Sequence, residues 1–154
     1  MKFKDTIGIY DNIFSNQECQ QLIDRFENAH KEGLSYSGKS GDGGINEYKK
    51  SNDYNILGTG QEADVPLVLE KFNNTLDNYL LNFHHNDVYN HHNLVLDKTY
   101  YPLLQMQKYD QNKGHYNAWH VELEDNTTMM RAFVFILYLN DVAELSVDDT
   151  GADS

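Results

Sequence analysis

The chain has 154 residues, 40% hydrophobic and 12% aromatic, enough for one domain with a real core and too few for two ordinary ones. Twelve Lys and Arg against 24 Asp and Glu give a formal charge of −12, which repels phosphate backbones and disfavours recognition of nucleic acid through a basic face. A single cysteine, Cys19, excludes an internal disulfide framework, fits a reducing compartment, and is expected to sit as a small buried helix residue.

The opening "MKFKDTIGIYD" has no apolar core of the signal-peptide kind, and Ile7–Ile13 is expected to form a short strand. "SNQE" at 15–18 predicts a capping box, with Ser15 bonding the amide near Glu18 and Glu18 reaching back. The helix that follows places Cys19, Leu22, Ile23, Phe26 and His30 on one stripe and stops near Gly33. Residues 35–53 are polar, carry four glycines and show no periodicity, and so are expected to form a mobile loop. "GKS" at 38–40 is only a fragment of a phosphate-binding pattern.

Asp64 and Pro66 suit a second helix start, and Val68, Leu69, Phe72, Leu76, Tyr79, Leu80 and Phe83 then recur at three- and four-residue steps, a stripe suited to lying across a sheet. "HHNDVYNHHN" (84–93) holds four of the seven histidines and reads as a polar connection rather than a metal site, since neighbours i and i+1 point apart. From residue 94 the pattern turns to strands, broken by Pro102 and by the turn "NKG". The run Ala132 to Leu139 is predicted to be a strand covered on both faces. It is far shorter than the roughly 20 residues that span a bilayer. The expectation is a soluble protein, without a membrane partner, in the cytoplasm of the producing or host cell. Two helices leading into a β-rich second half predict an α+β domain with a sandwich or barrel core.

"GHYNAWHVELED" (114–125) carries the chemistry. In an extended strand His120 and Glu122 project from one face, with Val121 turned away. One imidazole and one carboxylate make two-thirds of the facial triad that holds non-haem Fe(II) and leaves positions open. His115 is a rival ligand, and Tyr116 and Trp119 are candidates for the substrate entrance, although core packing explains them as well. In the strand 131–139, Tyr138 shares a face with Ala132, Val134 and Ile136, and a phenol on a buried face needs a polar partner.

Tyr109 in "QKYDQNKGHYNAWHVE", the Gly-containing turn, Tyr116, His-x-Glu and then "RAFVFILYLND" resemble the 2-oxoglutarate/iron(II)-dependent oxygenases of the prolyl 4-hydroxylase type. The resemblance runs from about Leu103 to Glu144, and more loosely through "YDNIFSNQECQQLIDRF". Glu rather than Asp in the motif is closer to the bacteriophage-encoded branch than to the animal enzymes. The resemblance implies N-terminal helices packed on a double-stranded β-helix (jelly-roll) core, in a domain spanning 1–145, and the acidic, small-residue stretch 146–154 reads as a disordered tail or the product of a frame change. It implies His120 and Glu122 as metal ligands, and Tyr109 and Tyr138 as residues that hold 2-oxoglutarate. It makes Fe(II) the cofactor, 2-oxoglutarate the cosubstrate and ascorbate an optional reductant, for hydroxylation of an unidentified small-molecule or peptidyl substrate.

Family members continue with a second His and then an Arg or Lys that pairs with 2-oxoglutarate. Here no His follows His120 and no Lys or Arg follows Arg131. The resemblance therefore implies a domain incomplete at its C-terminal side, with impaired activity and with self-association through an uncovered strand 132–139. The alternative is a non-catalytic remnant or binding module of the same fold. A zinc hydrolase is weaker, because H-E-x-x-H is absent.

Overall fold

Ser15 opens the first helix as its side chain predicts. In a computed structural model, which describes residues 2–4, 6–39, 48–57, 63–84, 101, 103–117, 119–120 and 131–141, helix α1 spans Asn16–Lys31 behind a complete capping box. The Glu18 amide donates to Ser15 Oγ at 3.3 Å and the Ser15 amide donates to Glu18 Oε2 at 2.7 Å. The helix ends at Lys31, and Gly33 takes φ +73°, the left-handed conformation glycine adopts without a Cβ penalty. Leu22 and Phe26 on the predicted stripe are buried, joined by Ala29, whereas His30 is exposed. Cys19 is half-buried on the same side.

Before α1 lie strands β1 (Lys2–Lys4) and β2 (Ile7–Ile9), an antiparallel pair shorter than the expected Ile7–Ile13 strand. The segment 35–53 departs furthest from expectation. In place of a mobile loop it carries β3 (Tyr36–Ser37), β4 (Lys49–Lys50) and the start of β5 (Asn52–Asn55), while 40–47 lies outside the described residues. Polar side chains that look solvent-facing in sequence are here buried against one another. Helix α2 spans Val65–His84, with Pro66 in its first turn, and buries Val68 and Leu76. The histidines of the 84–93 tract beyond His84 lie outside the described residues. Strands β6 (Gln105–Lys108) and β7 (His115–Tyr116) follow.

The described strands form three small antiparallel sheets: β1–β2, β3–β5–β6 and β4–β7. With the two helices they make a mixed α+β architecture. The β5–β6 register sets Tyr54 opposite Met106 and Asp53 opposite Gln107. Alternate residues take opposite faces of a strand. The Tyr54/Met106 face meets Phe26 and Ala29 of α1, Val65 of α2, Ile56 and Leu104. A second cluster joins Phe14, Leu22 and Val68 to Phe72, Leu137 and Leu139. Lys71 ties the helices together, donating to the Ile13 carbonyl at 2.8 Å and to Glu18 Oε2 at 2.9 Å.

Those bonds make the cap pH-sensitive. The hydrogen bond from Lys71, then those from the Ser15 amide and hydroxyl, lower the Glu18 carboxyl from its ordinary 4.5 to about 2. A depressed carboxyl contributes stability that is present in full above 4.5 and is lost as pH falls towards 2. Thermal melts of the wild type and Glu18→Gln are expected to differ at neutral pH and to converge between pH 4.5 and 2. A gap undiminished at the acid end would contradict this role for Glu18.

The apolar run 131–141 also differs from expectation. No strand pairing is formed by it among the described residues, and its side chains alternate between half-buried and exposed. Phe133, Phe135, Leu137 and Leu139 face inward: Phe135 stacks on Phe72 with ring centroids 4.8 Å apart, and Phe133 meets Tyr79 edge-on at 6.0 Å. Val134, Ile136 and Tyr138 face outward at 56, 73 and 77% exposure. The helices cover one side only, so the face assigned to Tyr138 from sequence is not buried. Among the described residues no helix is long and apolar enough to cross a membrane.

Candidate functional site

The face of the β3–β5–β6 sheet turned away from the helices is polar. Asp53 lies at its centre, 1% exposed, opposite Tyr36 on β3 and Gln107 on β6. Its carboxylate accepts from Lys49 Nζ at 2.9 Å, Ser51 Oγ at 2.7 Å and Gln105 Nε2 at 3.3 Å. Gln105 also donates to the Tyr36 hydroxyl at 2.9 Å, and Gln107 donates to Gln105 Oε1 at 2.8 Å. Lys49, 5% exposed, and Ser51, 9% exposed, complete a buried polar network. Burying a charge is costly unless it is paired and hydrogen-bonded, and here both ions are. Gly38 makes room for the network: its amide donates to the Ser51 carbonyl at 2.9 Å, and a Cβ there would overlap Ser51 Oγ.

Tyr109 follows β6 at the end of this face. Its hydroxyl donates to Gln107 Oε1 at 2.9 Å. Burial pushes the Tyr109 phenol up, the charge of Asp53 pushes it the same way, and the Ser51 hydroxyl pulls it back. Tyr109 is therefore a neutral hydroxyl donor at physiological pH.

The chain then reverses through a tight turn. The amides of Lys113 and Gly114 both donate to the Asp110 carbonyl, at 3.1 and 2.7 Å. Asn112 takes φ +61°, a conformation Asn tolerates better than most residues. A Cβ on Gly114 would approach the Tyr109 and Asp110 backbone to 2.6–2.8 Å, so only glycine permits this return. The return brings β7 alongside β4 with Tyr116 opposite Lys49 and His115 opposite Lys50. The Asn117 amide extends the pairing to the Tyr48 carbonyl at 2.7 Å.

Three aromatic or cationic groups then stack in sequence. Lys49 Nζ lies 5.5 Å from the Tyr116 ring centroid, within cation–π reach. Tyr116 in turn stacks on His120, with centroids 4.6 Å apart and planes 13° from parallel. Tyr116 is also close enough to Tyr109 to bear on the titration of that phenol. His120 is exposed, and Trp119 beside it is fully exposed.

Of the residues predicted from sequence, Tyr109 and His120 are thus tied to one polar network, Tyr109 through Gln107 and Gln105 and His120 through Tyr116 and Lys49. His115 sits on β7, half-buried, one strand position before Tyr116. Glu122 lies outside the described residues. Tyr138 is on the outward side of the 131–141 segment. Among the described residues no three His, Cys, Asp or Glu side chains converge on a metal-sized space. A concave patch lined by Gln21, Asp24, Arg25, Asn28, Glu32 and Asp64 is set on the helices and includes none of the predicted residues.

Sequence reading missed Lys49, Ser51, Asp53, Gln105 and Gln107. A signal existed in the two-residue alternation of 49/51/53 and 105/107/109. A row of buried polar groups, however, looks in sequence like an ordinary solvated strand face. Comparison with family models, with curated proteins and with solved structures finds no match to this chain.

Proposed function

We propose that the chain carries part of the active site of an iron(II)/2-oxoglutarate-dependent dioxygenase, a hydroxylase, built on a jelly-roll core of the prolyl 4-hydroxylase type. The observation that carries this reading is the shared location of Tyr109 and His120. Eleven positions apart in sequence, they are held by one network on the polar sheet face, Tyr109 through Gln107, Gln105 and Asp53 to Lys49, and His120 through Tyr116 to the same Lys49, while the helices cover the opposite face.

Part of the donor set that the implied groups need is present. His120 is solvent-accessible and would hold the metal together with Glu122, two residues further on. Tyr109, kept neutral by burial, is suited to donate a hydrogen bond to a cosubstrate carboxylate. The Tyr116 ring fixes the plane of the His120 imidazole by stacking. Tyr138 would reach 2-oxoglutarate only from the outward side of its segment. When bound, iron and 2-oxoglutarate supply oxidative decarboxylation coupled to C–H hydroxylation, one oxygen atom of O₂ entering succinate and the other the substrate. The chain's own residues orient these groups.

Purified protein incubated with Fe(II), 2-oxoglutarate and O₂ is expected to form succinate, and His120→Ala to fall to the no-protein background. Equal succinate from the two proteins would remove His120 from the reaction. No succinate from either would favour the second reading, a non-catalytic binding module of the same fold.

A further inference from the structure

We infer that the buried Lys49–Asp53 pair is the positioning element of the candidate site, fixing Tyr116 and, through its stacked ring, the imidazole of His120. Four observations converge on this. Lys49 and Asp53 are both nearly inaccessible to water, a placement that charged side chains take only when paired and that contributes little net stability. The Lys49 ammonium is shared between the Asp53 carboxylate at 2.9 Å and the Tyr116 ring at 5.5 Å. The backbone register of β4 on β7 sets the same two residues, Lys49 and Tyr116, opposite each other. Gln105, which donates to Asp53 as Ser51 does, accepts from Gln107, which in turn accepts from the Tyr109 phenol, so one buried carboxylate anchors both arms of the site.

The chemistry explains why a cation is placed here. A cation beneath an aromatic face holds the ring by attraction to its π-electrons, and it leaves the ring's other surroundings open to a second stacking partner. Asp53, held by three donors, fixes the ammonium in turn. Lys49 is therefore a positioning residue: it acts on His120 only through Tyr116. The value of that positioning for metal binding rests on the proposed function above, whereas the positioning itself does not.

The test reads the two separately. In histidine side-chain NMR spectra of the full chain, assigned with His120→Gln, the His120 ring protons are expected to carry a ring-current shift from Tyr116. Tyr116→Leu removes the ring and defines complete loss of that shift. Lys49→Met combined with Asp53→Asn leaves no uncompensated buried charge, so the chain is expected to stay folded and to lose most of the shift. Lys49→Arg, which keeps the cation, is expected to retain it. A folded double variant with His120 at its wild-type position overturns the inference, as does a Lys49→Arg spectrum matching that of Tyr116→Leu. A Mn(II) titration of the same proteins forms the second arm. Loss of the shift together with weaker Mn(II) binding supports the inference and the metal reading. Loss of the shift in the double variant, with a wild type that binds no Mn(II) at His120, supports the positioning and removes His120 as a ligand.

Discussion

Lys49→Met is expected to cost about 3–5 kcal/mol of folding stability, because it leaves the Asp53 carboxylate charged, buried and short of its ionic partner. At roughly 2–4 °C per kcal/mol for a chain of this size, that is a fall in Tm on the order of 10 °C. Asp53→Ala should cost a similar amount, since it strands the ammonium. The double substitution to neutral residues should cost much less than the sum, because removing both ions also removes their desolvation penalty. Urea denaturation of the four proteins closes the cycle. Additive single losses would mean that the pair is not coupled as the 2.9 Å contact requires.

A comparable loss is expected on the other side of the sheet. Phe26, 4% exposed, fills the space between α1 and the Tyr54/Met106 face, among Ala29, Ile56 and Val65. Phe26→Ala removes most of a buried ring and leaves a cavity that a helix held at both ends is poorly placed to close. The expected cost is about 3–5 kcal/mol. Ile136→Ala supplies the contrast: the residue is larger than its burial warrants, at 73% exposure, and its truncation is expected to stay within about 0.5 kcal/mol. The opposite order, with Ile136 the costlier site, would mean that the 131–141 segment packs through its other face.

What the sequence made legible follows from how local each signal is. The capping box at Ser15, the glycine stop at Gly33 and the α2 stripe from Val68 to Leu80 are encoded within a few residues, and all three stand as expected. The turn at 110–114 was equally legible, for the same reason. By contrast, 35–53 resembled a loop because its organising contacts are long-range. Asp53 is meaningful only beside Gln105, 52 residues away, and Lys49 only beside Tyr116. Patterning by hydrophobicity cannot find a buried polar network, since it assigns charge to solvent. The run 132–139 failed in the opposite sense. Its unbroken apolarity suggested cover on both faces, yet its outward row of Val134, Ile136 and Tyr138 is exposed. Composition records that a strand is apolar on both faces, not what lies against each. For the candidate site, Tyr109, Tyr116 and His120 were legible as a motif, and the support beneath them was not.

The central claim is that His120 lies in a metal half-site beside Tyr109. With a formal charge of −12, the chain will attract divalent cations to many surface carboxylates, so binding alone says little and location decides. The direct measurement is paramagnetic broadening of side-chain NMR signals during a substoichiometric Mn(II) titration, with 2-oxoglutarate present. The account predicts selective loss of the His120, Tyr116 and Tyr109 signals before those of the other histidines, and no such selectivity in Glu122→Ala. Broadening spread evenly over the acidic surface, or centred on the 84–93 histidines while His120 stays sharp, would contradict it.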